Sequence, residues 1–319
     1  MMKNKLHRTS IGGQALIEGI LMRGVDKAAI AVRLPSGEIE VDVEETTSIN
    51  RKFPILKLPF IRGIVNFIEM MIFGYKSLMI SAEKSGFDDL ADENPSKFET
   101  WLEKHTGGKL GNVIVWIAGV LGVAIAVGLF MVLPAFVVSL LKAAFPAFFH
   151  AAFVKALIEG VIRITIFVIY LALVAQLKDI QRVYEYHGAE HKSIHCYEAG
   201  EELTVENIHK FSRLHPRCGT SFLLIVMIIG IVVFSFVTWS TILMRVVLKI
   251  VLLPVVVGIA YEIIKLMGRY DQVPFVRFLS APGMWLQALT TKDPHDDQIE
   301  VAIKALEAVI PDNKELDKW

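Results

Sequence analysis

At 319 residues the chain is long enough for two or three structural units. An apolar share of 54% and a mean hydropathy of +0.50 exclude an ordinary soluble domain. Basic and acidic residues balance at 33 each, which leaves no electrostatic footprint for nucleic acid, and two cysteines make no disulfide framework.

The basic N-terminus MMKNKLHRTSIGGQ has no apolar core behind it, so targeting is expected to fall to the first membrane span rather than to a cleavable signal. Residues 1–60 read as a β-rich cytosolic unit. Ala28–Leu34 and Glu38–Val43 flank Pro35-Ser36-Gly37, with Ile39, Val41 and Val43 alternating, a hairpin signal. Upstream, GGQALIEGILMRG brackets Glu18 and Arg23 with glycines. That stretch reads either as a tight turn with an edge strand or as backbone brought close to a ligand.

Residues 61–112 follow as an amphipathic surface helix and an acidic linker. Ile61, Ile64, Val65 and Ile68 keep a helical period, but Arg62, Asn66, Glu69 and Lys76 interrupt it, which suits a membrane surface better than a membrane span. Ser96 and Glu99 form a capping box for a short helix after the linker FDDLADENP.

Residues 113–267 are expected to hold four spans: Val113–Leu141, Leu157–Leu177, Ser221–Leu243 and Val246–Met267. Glu159 and Arg163 read as a pair at a span end with snorkelling stems. Lysine and arginine are concentrated before the first span, between the second and third, and in the tail. Both termini and the loop between spans two and three should therefore face the cytosol, at the cytoplasmic membrane. In residues 268–319, Phe275, Phe278 and Trp285 around Pro282-Gly283 suggest an interfacial segment. Asp297 and Glu300 should then cap a closing helix.

The chemistry collects between Tyr186 and Ser221. Five of the nine histidines and both cysteines lie there, in a cytosolic helical hairpin over 178–220. His187, Glu190 and His191 form H-x-x-E-H, which on a helix stacks the histidines one turn apart, and His195 extends the stripe. His215 and Cys218 form a second short-spaced pair, and two such pairs on separate segments are the layout of a transition-metal site. Zinc or another first-row divalent metal is the expected cofactor. The ligands are drawn from His187, His191, His195, His215 and Cys218. Four ligands would close the site, whereas three would leave a position for activated water with Glu190 as general base. Distance is the difficulty. If span two runs on unbroken, His187 stands about 15 Å beyond the span end, while His215 and Cys218 adjoin span three. Gly200 should stop the first hairpin helix, and Thr204 should cap a second that runs to Pro216. His7, His105, His150 and His209 read as packing, capping or solvated residues. Glu18, Arg23 and Glu262 are weaker candidates for substrate contact.

H-x-x-E-H resembles the inverzincin metallopeptidase motif over five residues, too few to carry peptidase activity across. A wider resemblance comes from GGQALIEGILMRG, LPFIRG, HGAEHKSIHCYE, HPRCGTSF and APGMWLQALTTKDP taken together. With these the chain resembles the YqhQ-like family of bacterial membrane proteins, described as predicted metal-dependent enzymes. The resemblance implies a membrane location and a metal and supplies no substrate. The expected fold is a mainly α membrane protein with four transmembrane helices, a small β-containing cytosolic unit and a cytosolic helical hairpin. The expected function is a metal-dependent membrane hydrolase, with a scaffold held by structural zinc as the alternative. Partners expected are membrane lipids, a membrane-associated substrate and a second copy of the chain.

Overall fold

The structure, a computed structural model, describes residues 7–46, 49, 53–86, 110–236, 241–270 and 272–318. The helix expected after Ser96 lies outside them. Two compact units are formed: Met1–Phe87, Leu171–Val226 and Val257–Trp319 make one, and Asp88–Tyr170 with Met227–Val256 make the other.

The first unit is built on an antiparallel sheet in the order β1-β2-β3-β4: β1 (Gly12–Leu16), β2 (Gly19–Arg23), β3 (Lys27–Arg33) and β4 (Ile39–Glu45). The expected hairpin is β3–β4, with Gly37 at φ +90° in its turn, a conformation that glycine adopts without steric cost. The glycine-bracketed stretch forms a second hairpin, β1–β2, closing at Leu16↔Gly19 with Glu18 at φ +49° in the turn. Both faces of the sheet are covered at β2, which is why Ile20, Leu21 and Met22 are apolar in succession instead of alternating.

On one face Ile20, Met22, Ala29 and Ala31 pack with α5 (Lys178–Ala199) and α10 (Asp296–Val309), through Tyr186, Ala189, Ile299 and Leu306. On the other, Leu21, Ile30 and Val32 pack with Phe73, Leu78 and Ile80 of α1 (Ile61–Lys84). Each fully buried Leu or Ile contributes about 1.5–3 kcal/mol.

Four helical stretches are long and apolar enough to cross a bilayer: Ile61–Lys84, Gly119–Ala144, Phe153–Val174 and Val246–Arg269. The membership differs from that expected. Ser221–Leu243 is represented by α7 (Gly219–Ser235), an apolar helix of 17 residues. Packing bears on α1. Lys76 pairs with Glu44 at 2.9 Å and Lys84 with Glu40 at 3.0 Å, so its C-terminal half lies against the sheet and its edge. Ile68, Met71, Ile72 and Tyr75 are left as an exposed apolar face. That is the amphipathic character read from the sequence. Chain parity favours counting α7. Because α5 and α10 share one core, the chain between them returns to the side it left, and a crossing by α8 (Ile242–Arg269) calls for a partner crossing.

The expected continuous helix from span two into the histidine stretch is broken. α4 (Ala152–Val174) ends, Leu177 is extended at ψ 131°, and α5 starts at Lys178. The break falls where apolar sequence gives way to Gln176 and Lys178-Asp179. Its freed carbonyls are taken up by side chains: Gln176 donates to Ala172 O and Gln181 to Gln176 O, each at 3.2 Å.

Gly200 stops α5 at φ +74°, and the Thr204 hydroxyl accepts from Asn207 N at the start of α6 (Val205–His209). α6 ends at His209, well short of Pro216. The carbonyls that follow serve histidines instead of a helical ladder. Toward the C-terminus, the expected interfacial segment is a helix, α9 (Pro274–Thr290), with Phe275, Phe278 and Trp285 exposed and Gln287 and Thr290 buried. α10 is capped two residues earlier than expected, by His295 with Gln298. Asp297 and Glu300 instead pair with Arg182 at 3.2 Å and Arg33 at 2.8 Å.

In the second unit α2 (Leu110–Val127) passes through a π-helical turn, Gly128–Val132, into α3 (Leu133–Ala144). Pro134 has no N–H for the carbonyl four residues back. That carbonyl, Phe130 O, accepts from Arg163 Nε at 2.8 Å. Glu159 and Arg163 do not snorkel at a span end. Glu159 is buried and Arg163 nearly so, Arg163 Nη2 meets Glu159 at 3.1 Å, and Lys249, 1% exposed, joins Glu159. Two cations thus share one carboxylate among apolar helices, where solvation by lipid is unfavourable.

Candidate metal centre

α5 places His187, Glu190, His191 and His195 within a little more than two turns. The helix comes very close to the backbone beyond α9: a Cβ on Gly188 would fall 1.9 Å from Lys292 O, and Lys292 N donates to Tyr184 O at 2.9 Å. Only glycine fits at position 188.

That contact sets the histidines. His187 Nδ1 bonds Thr290 O at 2.8 Å, and His191 Nδ1 bonds Arg213 O at 2.6 Å. Each carbonyl fixes one ring nitrogen as N–H and leaves the other, Nε2, as a ligand atom, the arrangement that metal-binding histidines use. Cys218 Sγ lies 3.3 Å from His187 Nε2. Nitrogen and sulfur on one tetrahedral zinc stand about 3.6 Å apart, given the usual bond lengths. His187, His191 and Cys218 form one group whose ligand atoms lie within 4.8 Å of one another. The break at Leu177 removes the distance problem, because α5 is not bound to the axis of α4.

His195, Glu198 and His215 form a second group of the same kind. His195 Nε2 bonds Leu214 O at 3.0 Å. Glu198 accepts from Thr9 N at 2.9 Å and is ion-paired with Arg217, whose guanidinium also stands 3.3 Å from His215 Nε2. A cation from the chain therefore sits against this second group. The His191 and His215 rings are 5.5 Å apart, so the two groups are neighbours.

Burial lowers the proton affinity of His191, His195 and His215, the last well below the ordinary histidine value with neighbouring His195 and His191 adding to it. Neutral imidazole is the ligating form. Burial raises Glu190, with its neighbour His187 and the hydrogen bond from the Gly13 amide acting in the opposite sense. Glu190 Oε1 accepts from Gly13 N at 3.1 Å. Its Oε2 is buried with no hydrogen-bond partner among the described residues.

A cavity of about 380 Å3 joins these parts, lined by Thr9–Ala15, by His187, Glu190, His191 and His215, and by the Arg217–Thr220 turn. Glu18, Arg23 and Glu262 are not among the lining residues. Glu18 holds Arg182 at 2.6 Å and accepts from Tyr186 at 3.2 Å. Arg23 contacts Met70 Sδ and Glu69, and Glu262 pairs with Arg62. His7 and His209 bond Asp317 and Asp296.

Sequence reasoning missed Glu198 and Gln287. Gln287, fully buried, donates to His215 O and accepts from His215 N, both at 2.8 Å, which fixes the loop that carries Cys218. The tail motif APGMWLQALTTKDP contained this signal, a glutamine and threonines on the face of α9 opposite the exposed aromatic residues.

Residues 58–312 match the family model described as a protein of unknown function (DUF1385). The chain is also similar to the uncharacterized protein YqhQ of Bacillus subtilis (strain 168), at 35% identity over 300 residues, covering 94% of this chain and 92% of that protein. No solved structure matches. On a family match that takes in the histidine helix, the Cys218 loop and the α9 tail, and a full-length relative, the chain belongs to the DUF1385 family.

Proposed function

We propose that this protein is a metal-dependent membrane hydrolase whose site holds one zinc ion, or another first-row divalent metal, on His187, His191 and Cys218. The observation that carries the reading is a three-ligand group lining the same cavity as a carboxylate oxygen that has no hydrogen-bond partner among the described residues. When bound, such a metal supplies Lewis acidity and brings the pKa of a coordinated water close to neutral. Glu190 Oε2, which has no hydrogen-bond partner among the described residues, accepts the proton from the attacking water and returns it to the leaving group, while the Gly13 amide holds Oε1 still. His215 stands with the second group, so the first has three ligands, which favours an open site over a closed structural one.

Metal content tests the ligand set. Purified protein should carry about one first-row metal per chain, and His191→Ala should reduce it below detection at matched metal concentration, as measured by elemental analysis. Stoichiometric metal in a variant lacking His187, His191 and Cys218 together would refute it.

The basic loops support a cytosolic position for both termini and the site, at the cytoplasmic membrane. Cysteine substituted at Ala147 should react with an impermeant reagent from outside intact cells, and cysteine at Glu202 only after permeabilisation. The opposite pattern would invert the topology.

A further inference from the structure

The second ligand group has no role in the reaction described so far. On α5, His195 and Glu198 are three residues apart and so share a face. The segment after α6 brings His215 to them, with the His195 and His215 rings 4.6 Å apart. Each of the three is held from behind: His195 Nε2 by Leu214 O at 3.0 Å, Glu198 by Thr9 N at 2.9 Å, and the His215 backbone by Gln287. Glu198 and His215 are buried, at 4% and 5% exposure.

What stands among these donors is a guanidinium. Arg217 Nη2 meets Glu198 Oε1 and lies 3.3 Å from His215 Nε2, so one nitrogen reaches donors on both segments of the group. Guanidinium resembles a metal ion in two respects: it always carries positive charge, and it has no lone pair to offer. Glu198 Oε2 and His215 Nε2 are 3.9 Å apart. That is about half an ångström wider than oxygen and nitrogen on one tetrahedral zinc, a gap that side-chain rotation can close. The H-P-R-C turn serves both groups at once. His215 goes to the second, Cys218 to the first, and Arg217 lines the same cavity between them.

We infer that the His195, Glu198 and His215 group is a second cation site of the metal centre, and that Arg217 occupies it in place of a metal ion. This rests on the metal reading of the neighbouring group and fixes how many ions the centre takes. Two-metal hydrolases hold their ions about 3.5–4 Å apart, so that both share the charge of the reacting oxygens. Here the His191 and His215 rings, one from each group, are 5.5 Å apart, and the two cation positions adjoin. The centre thus pairs one metal ion with one guanidinium, and the charge of the second position is present without a second ion. Guanidinium and ion exclude each other, because Glu198 is the acid of the group and Arg217 already neutralises it. Removal of Arg217 leaves three donors, one of them a buried carboxylate without its ion pair. A divalent ion is the species that satisfies all three.

The test is the metal stoichiometry of full-length protein in detergent, titrated with zinc or cobalt(II) and read by elemental analysis and absorbance. Wild type should take one equivalent. Arg217→Ala should take two at the same free metal concentration. Arg217→Gln, which can still donate to Glu198, carries the same test if the alanine variant does not accumulate. The first cobalt equivalent should show the thiolate charge-transfer band of Cys218. The second should add d–d absorbance alone, because its group holds no sulfur. Excess zinc should also raise the unfolding temperature of Arg217→Ala beyond the rise at one equivalent, since a ligand bound only by the folded state stabilises it. Adding Glu198→Ala should abolish the second equivalent. One equivalent in the Arg217 variants would overturn this inference and leave the three-ligand site standing, and so would two equivalents in the wild type. A second equivalent that survives Glu198→Ala would be adventitious and would overturn it as well. A wild type that binds no metal would bring down the metal reading first, and this one with it.

Discussion

Glu190→Gln should leave metal content and fold intact and lower activity by about 10²–10⁴-fold, the usual consequence of removing a general base. The amide keeps the shape of the carboxylate, and its oxygen can still accept from Gly13 N, so the contact to β1 survives. What it lacks is a basic oxygen at the Oε2 position, where the wild-type atom is buried without a hydrogen-bond partner among the described residues. Glu190 is not part of the His187, His191 and Cys218 group, so metal binding should not follow activity down. With the natural substrate unidentified, complementation of a deletion strain is the assay, paired with elemental analysis of the variant. Full complementation by a metal-loaded Glu190→Gln protein would sink the hydrolase reading and leave a scaffold held by structural metal.

Glu159→Ala should destabilise the protein by about 3–5 kcal/mol, because it strands two buried cations that share one carboxylate. Lys249 and Arg163 both contact Glu159, and helix α4 sits close enough that a Cβ on Gly160 would fall 2.1 Å from Ile231 Cγ1. Thermal or denaturant unfolding in detergent would measure the loss. The double variant Glu159→Gln with Lys249→Met should recover much of it, since removing both members of a buried pair costs far less than removing one. A single variant within about 1 kcal/mol of wild type would show that the cluster bears little on stability.

Local chemistry made part of this molecule legible in advance. Gly200 ends α5 and Thr204 caps α6 because each signal acts within a few residues. The β3–β4 hairpin announced itself through alternation and Gly37. H-x-x-E-H and H-P-R-C pointed to the site, since donor spacing on a helix is a property of the sequence itself. At β1 the sequence left an edge strand and a ligand loop side by side, because GGQAL has no alternation and low strand propensity; the strand forms through pairing with β2 and cover by α5. The carbonyls of Thr290, Arg213 and Leu214 were illegible for a different reason: any residue carries one, so only tertiary placement marks them. The early end of α6 and the shifted cap of α10 share that cause. After α6 the carbonyls of Arg213 and Leu214 serve His191 and His195, and at α10 Arg182 and Arg33 took the carboxylates that local rules had assigned to the cap.

Asp317 accepts from Thr9 Oγ1 at 2.6 Å and from the Tyr197 hydroxyl at 3.1 Å, so the segment after α10 is tied to the residues just ahead of β1 and to the histidine helix. Ribosomes make β1 and α5 long before they reach Gln287, Thr290 or Asp317. Until then His187 has no carbonyl to fix its tautomer, and the loop carrying Cys218 has no glutamine to hold it. On the proposed metal reading, the ligand set is therefore complete only after these later segments have docked. On that reading, a carboxy-terminal fusion that keeps Asp317 from docking should lower metal content per chain in elemental analysis while leaving the chain in the membrane.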